Sequence, residues 1–272
     1  MNESGILQIS TPLVYLVAAG LIVVGLHNRT PAVKNAGIWL ALLGVVLHAC
    51  ALYLEVSRIG GFGADFFSSL SLVSLLIAVV LLAAAARFPV TEILPLALPG
   101  AAFMLALKAI MAPAPTPLET GSAMLDLHVI ASLLAYSLLS IAALTAIFIS
   151  VQHNLLRRHT GARLIEILPP LVVLETLLFR MITVGWILLS LSLATGLLFV
   201  DNLFAQHLAH KTFLSIVSWL VFGLLLAGRW RYGWRGMRVV RLCLLGMAIL
   251  VLAYFGSKAV LELLLDRRWQ TG

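Results

Sequence analysis

The chain of 272 residues is 62% hydrophobic, has a mean hydropathy of +1.08, and is only 11% charged, against roughly 25% in a soluble domain. That balance excludes a water-soluble globular protein and predicts an all-α, polytopic integral membrane bundle. The formal net charge of +7 is carried by loops beside the membrane, so it does not call for a nucleic-acid partner.

Apolar runs able to cross about 30 Å of hydrocarbon, roughly 20 residues each, are predicted over 10–26, 37–54, 67–86, 93–111, 124–151, 177–200, 212–227 and 240–265. The start, MNESGILQIS, lacks the basic region and small-residue cleavage site of a signal peptide, so the first run is expected to stay in the protein. No connection is long enough to fold alone. Residues 1–272 are therefore expected to form a single transmembrane domain with basic inner loops near 153–176 and 228–241. Alternate loops hold Arg29, Lys34, Arg87, Arg157, Arg158, Arg163, Arg229, Arg231, Arg235, Arg238 and Arg241, whereas the opposite side holds Arg58, Lys211, Arg267 and Arg268. By the positive-inside rule both termini face outward.

In the second run, Gly44, His48, Leu52 and Glu55 share one helical face. A neutral histidine in hydrocarbon needs a partner for its N–H. For His48 that partner is either a neighbouring carbonyl or hydroxyl or a bound ligand. Residues 56–65 read as a flexible outer turn, without a nucleotide-binding fingerprint. Ser68, Ser69, Ser71 and Ser74 are small hydroxyls suited to close helix packing. Lys108, near the end of the fourth run, is expected to snorkel to the headgroups.

The proline-rich connection APAPTPLETG leads into the fifth run, with Asp126 and His128 near its outer end. Ser132, Tyr136 and Ser140 follow His128 at intervals of four, a polar edge expected to face protein. His153 and His159 are expected to be solvated. The connection after Val200 holds Asp201, His207, His210 and Lys211, more polar groups than a turn requires, and any site is expected to include it. The segment GRWRYGWRGMRVVR interleaves arginines with aromatic rings, as expected of an anchor to anionic headgroups.

Cys50 and Cys243 belong to no CxxC or CxxCH motif, which excludes thiol exchange and covalent haem attachment. GxSxG and HExxH are absent, and no enzymatic activity is expected. His48, His128, His207 and His210 all fall at or near the outer ends of their runs. Histidines there suit haem iron or another metal; zinc ligands usually come at tighter spacings.

The stretches LHVIASLLAYSLLSIAAL (127–144), ATGLLFVDNLF (194–204), HKTFLSIVSWLVF (210–222) and GWRGMRVVRLCLLGMAILVLAYFGSK (233–258) carry a resemblance. The chain resembles the cytochrome c assembly family of haem-handling membrane proteins, the CcmC/CcsA type. It is most similar to that family's short eight-span, YpjD-like inner-membrane branch. The resemblance implies a protein of the bacterial inner (cytoplasmic) membrane that presents non-covalent, b-type haem at the outer, periplasmic face and serves cytochrome c maturation.

In the family an outer tryptophan-rich loop lies against the porphyrin, with histidine ligands on either side. His128 matches the upstream histidine, and the connection ending at Lys211 takes the place of that loop. This chain departs from the pattern: no tryptophan lies between Trp186 and Trp219, and no histidine follows His210. A second iron ligand would then be His48, His207 or His210. The expected haem-binding set is His128, His48, His210, His207, Tyr136 and Lys211, with His128 and His48 on the iron. The alternative implied by the branch is an accessory or regulatory subunit that has lost haem handling, associated with a CorC-type divalent-cation (magnesium or cobalt) transport system. Expected partners are lipids, haem, and a cytochrome c maturation component or CorC-type transporter.

Overall fold

The computed structural model describes residues 3–60, 65–111, 123–158, 168–199 and 206–256. Within them every regular element is helical: α1 Glu3–His27, α2 Pro31–Ile59, α3 Phe66–Ala85, α4 Leu94–Met111, α5 Ala123–Arg158, α6 Leu171–Phe199, α7 Gln206–Tyr232 and α8 Met237–Val251. A 3₁₀ turn, Thr91–Ile93, leads into α4, and a π turn, Leu252–Gly256, follows α8. Eight helices among the described residues are long and apolar enough to span a membrane, one for each predicted run. Several ends, those of α2, α5 and α7 among them, extend further than hydropathy suggested. α5 continues through Arg158, so His153, exposed as expected, lies on a helix rather than a loop. His159 lies outside the described residues.

Local chemistry sets the boundaries. Pro31 occupies the first turn of α2, where a missing N–H is harmless. Gly60, at φ 74°, caps α2 by donating to the Val56 carbonyl. The rest of the expected turn, 61–64, lies outside the described residues. Asp65 caps α3, its Oδ1 accepting the Ser68 N–H at 2.9 Å. Between α7 and α8, Arg235 Nε and Gly236 N donate to the Glu175 carboxylate at 2.8 and 3.2 Å, and Arg238 lies 5.4 Å from the Trp234 ring centroid.

The chain divides into two compact units: Met1–Leu118 with Val151–Leu174, and Glu119–Ser150 with Glu175–Gly272. In the first, α1 packs on α2 and α4, and α3 packs on α2 and α4. Gly37 lets α2 approach Ile22 and the Ala18 carbonyl of α1, and Gly44 receives the Tyr15 ring; hydrocarbon-embedded helices associate through such small-residue contacts. The face Gly44–His48–Leu52 is buried, as its periodicity predicts, and Ser68, Ser69, Ser71 and Ser74 are buried on α3. In the second unit α7 packs on α8, with Phe222 enclosed against Gly246 and Ser218 Oγ donating to the Gly246 carbonyl at 2.8 Å.

Candidate functional site

His128 projects from α5 in the second unit and stands 2.8 Å, through Nδ1, from the Ser192 carbonyl of α6. A carbonyl can only accept, so Nδ1 carries a proton, and in the neutral ring Nε2 is the nitrogen with the lone pair. The Ser192 and Thr195 hydroxyls lie 3.5 and 3.4 Å from the same Nδ1, and a side chain on Gly196 would bring Cβ to 3.1 Å from the ring's Cε1. Nε2 has no partner among the described residues. A histidine held through Nδ1–H to a backbone carbonyl, with Nε2 open, is the arrangement that orients metal-ligating imidazoles.

Further along α6, the packing is against α7. Trp186 and Trp219 stack with centroids 5.3 Å apart and planes 16° from parallel. Trp186 Nε1 donates to the Trp219 carbonyl at 3.0 Å, Trp219 Nε1 donates to Ser190 Oγ at 2.7 Å, and Ser190 Oγ donates to the Trp186 carbonyl at 2.8 Å. These closed bonds pin α6 to α7 at the two tryptophans that flank the polar connection. Ser190→Ala leaves the Trp219 indole N–H unpaired and is expected to lower unfolding free energy by about 1–3 kcal/mol. Thermal unfolding in detergent measures it.

His48 lies in the first unit, fully buried. Its Nδ1 is 3.3 Å from the Tyr15 hydroxyl and its Nε2 is 2.9 Å from Ser71 Oγ, so both ring nitrogens are engaged by side-chain hydroxyls. Tyr15 also meets it edge-on, with ring centroids 5.9 Å apart. As an iron ligand it would first have to give up one hydroxyl.

Lys108 corrects an expectation. It does not snorkel: its side chain is 3% exposed, and Nζ lies 2.6 Å from Glu55 Oε2, whose side chain is 13% exposed. Gln8 Nε2 donates to the same oxygen at 3.1 Å. Turning inward lets the ammonium neutralise a carboxylate that the membrane interior would otherwise penalise.

Tyr136 donates its hydroxyl to the Leu250 carbonyl, and its ring centroid is 5.6 Å from that of Tyr254. Its polar atom therefore ties α5 to the end of α8. Lys211 is half-buried at the start of α7. The backbones of His207 and His210 belong to α7, but their side chains, like all of Asp201, lie outside the described residues. The structure thus brings His128 together with Ser192, Thr195 and Gly196, and His48 with Tyr15 and Ser71. Both cysteines are free thiols. Among the described residues, no three His, Cys, Asp or Glu side chains gather to hold a metal ion by themselves.

Residues 37–265 match the family described as Cytochrome C assembly protein. The chain is 36% identical over 254 residues to the inner membrane protein YpjD of Escherichia coli (strain K12), across 92% of this chain and 95% of that protein. It is 33% identical over 176 residues to an uncharacterized 28.8 kDa protein of Azospirillum brasilense, across 63% of this chain and 65% of that one. A shorter similarity, 29% over 85 residues, covering 30% of this chain and 27% of the other, links it to the cytochrome c biogenesis protein CcsA of Prochlorococcus marinus (strain MIT 9303). No solved structure matches.

Proposed function

The chain belongs to the cytochrome c assembly protein family, and from that premise we propose that it binds haem non-covalently in the cytoplasmic membrane through His128, in the service of cytochrome c maturation. The observation that carries this reading is the His128 tautomer: Nδ1–H bonded to the Ser192 carbonyl at 2.8 Å and Nε2 without a partner among the described residues. The group fits this side chain, because an axial haem ligand is a neutral imidazole offering one nitrogen. Porphyrin-borne iron needs only one or two protein ligands, whereas a bare zinc needs three or four, which the described residues do not assemble.

His128 would hold the iron, with the Ser192 carbonyl and Gly196 fixing the ring's rotation and depth. His207 and His210 are the remaining candidates for a second ligand, since His48 has both nitrogens engaged. Haem, when bound, would supply an iron centre that takes imidazole nitrogen and can change oxidation state. The Lys and Arg bias of the loops supports an orientation with both termini outward, which puts His128 near the periplasmic face.

A second reading keeps the scaffold without haem, as an accessory subunit of a divalent-cation transport system. The engagement of His48 and the lack of tryptophan between Trp186 and Trp219 favour it. One experiment separates the two: oxidised and reduced absorption spectra of protein purified from haem-supplemented cells, for the wild type, His128→Ala and His48→Ala. The expected result is a Soret band that His128→Ala removes or shifts and His48→Ala leaves in place. A featureless spectrum in every preparation rejects haem binding in favour of the accessory reading.

A further inference from the structure

The first unit contains a polar stripe that the haem reading does not use. Its deep level is Tyr15, His48 and Ser71, joined at 3.3 and 2.9 Å. The other level is Gln8, Glu55 and Lys108, joined at 3.1 and 2.6 Å. Gln8 and Tyr15 are seven residues apart on α1, and His48 and Glu55 are seven apart on α2. At a rise of 1.5 Å per residue, the two levels stand about 10 Å apart along both helices.

Between the levels are hydroxyls that find no partner among the described residues. Thr11 lies one turn from both Gln8 and Tyr15 on the face of α1 that reaches α2, and Ser68 lies one turn before Ser71 on α3. Both are buried, at 0% and 1% exposure, yet neither Thr11 Oγ1 nor Ser68 Oγ has a partner among the described residues. Asp65, at the start of α3, has one oxygen capping the helix and the other buried and equally unpartnered. Unpaired buried polar atoms are rare in folded proteins, and such atoms along one polar stripe mark places for water or an ion. The Lys108 ammonium at one end disfavours a cation. Water, both donor and acceptor, suits the two hydroxyls and the carboxylate oxygen alike.

We propose that the first unit encloses water that joins the Lys108–Glu55 pair to His48, making a hydrogen-bonded proton path into the membrane-spanning helices. The groups that face His48 are Tyr15 from α1, Ser71 from α3 and, further along the stripe, Lys108 from α4 and Glu55 from its own helix. One ring nitrogen of the neutral histidine donates to one hydroxyl while the other accepts from the second. A proton arriving at the accepting nitrogen can therefore leave from the donating one, which leaves the ring in its other tautomer until a return transfer or a ring flip resets it. This site is independent of His128 and of haem.

Pulsed X-ray radiolysis of the full chain in nanodiscs, read by mass spectrometry, tests it, because radicals formed from bound water label adjacent side chains whether or not these reach bulk solvent. Tyr15 and Ile22 are both 0% exposed on α1. After correction for intrinsic reactivity, Tyr15 is expected to be labelled faster than Ile22, as a side chain beside ordered water should be. Equal rates overturn the proposal. Thr11→Val combined with Ser68→Ala gives a second, signed result: if water is present, the midpoint of thermal unfolding falls and Tyr15 labelling slows. If the site is dry, removing two unpaired hydroxyls raises the midpoint, which also overturns it.

Discussion

Lys108→Met is expected to destabilise the protein by about 3–5 kcal/mol, because it strands a buried carboxylate without its counter-charge. The Lys108 and Glu55 side chains are 3% and 13% exposed and their charged atoms are 2.6 Å apart, so bulk water screens the pair little. The double variant Lys108→Met with Glu55→Leu removes both charges together and is expected to recover most of the loss, since well-packed apolar replacements of a buried pair are often neutral or better. Gln8, bonded to Glu55 at 3.1 Å, then loses its acceptor, and a residual loss of about 1 kcal/mol is expected from that bond alone. Unfolding by denaturing detergent, run as a double-mutant cycle, measures all three. A single-variant effect below about 1 kcal/mol, the range of exposed pairs, would mean that the ammonium reaches the headgroups after all.

That pair also shows where sequence reasoning stops. The spans themselves were legible, because crossing hydrocarbon demands runs of about 20 apolar residues whatever they pack against. The buried face of α2 was legible for a similar reason: Gly44, His48 and Leu52 repeat with the helical period. Position along a helix was therefore readable, but partners across helices were not. Lys108 lies three residues before the end of α4, where a lysine usually extends to the interface; its carboxylate belongs to α2 and is far away in sequence. Likewise, His128 could be picked out on α5, but the atom that fixes its tautomer is a backbone oxygen on α6, 64 residues later. Main-chain acceptors leave no signature in side-chain identity. The stacked tryptophans were legible only as gaps in a family pattern, and their mutual bonds through Ser190 depend on how α6 and α7 pack.

If His128 carries the iron, the ring's placement should matter nearly as much as its presence, and Gly196→Val separates the two. The substitution retains the imidazole, but its Cβ starts 3.1 Å from Cε1 and 3.3 Å from Nδ1, closer than most side chains tolerate. The ring must shift or rotate, and the 2.8 Å bond to the Ser192 carbonyl lengthens or breaks. Outer partners of this kind are typically worth 10–100-fold in metal affinity, so Gly196→Val is expected to weaken haem binding by roughly that factor. His128→Ala, which removes the nitrogen itself, should weaken it further. Haem titration of the purified variants, followed in the Soret region, gives the affinities, with thermal unfolding as a check that the helix pair still forms. Wild-type affinity in a folded Gly196→Val protein would show that the Ser192 contact does not position a ligand. If His128→Ala were equally silent, the iron would have to be held elsewhere, with His207 and His210 the next histidines to replace.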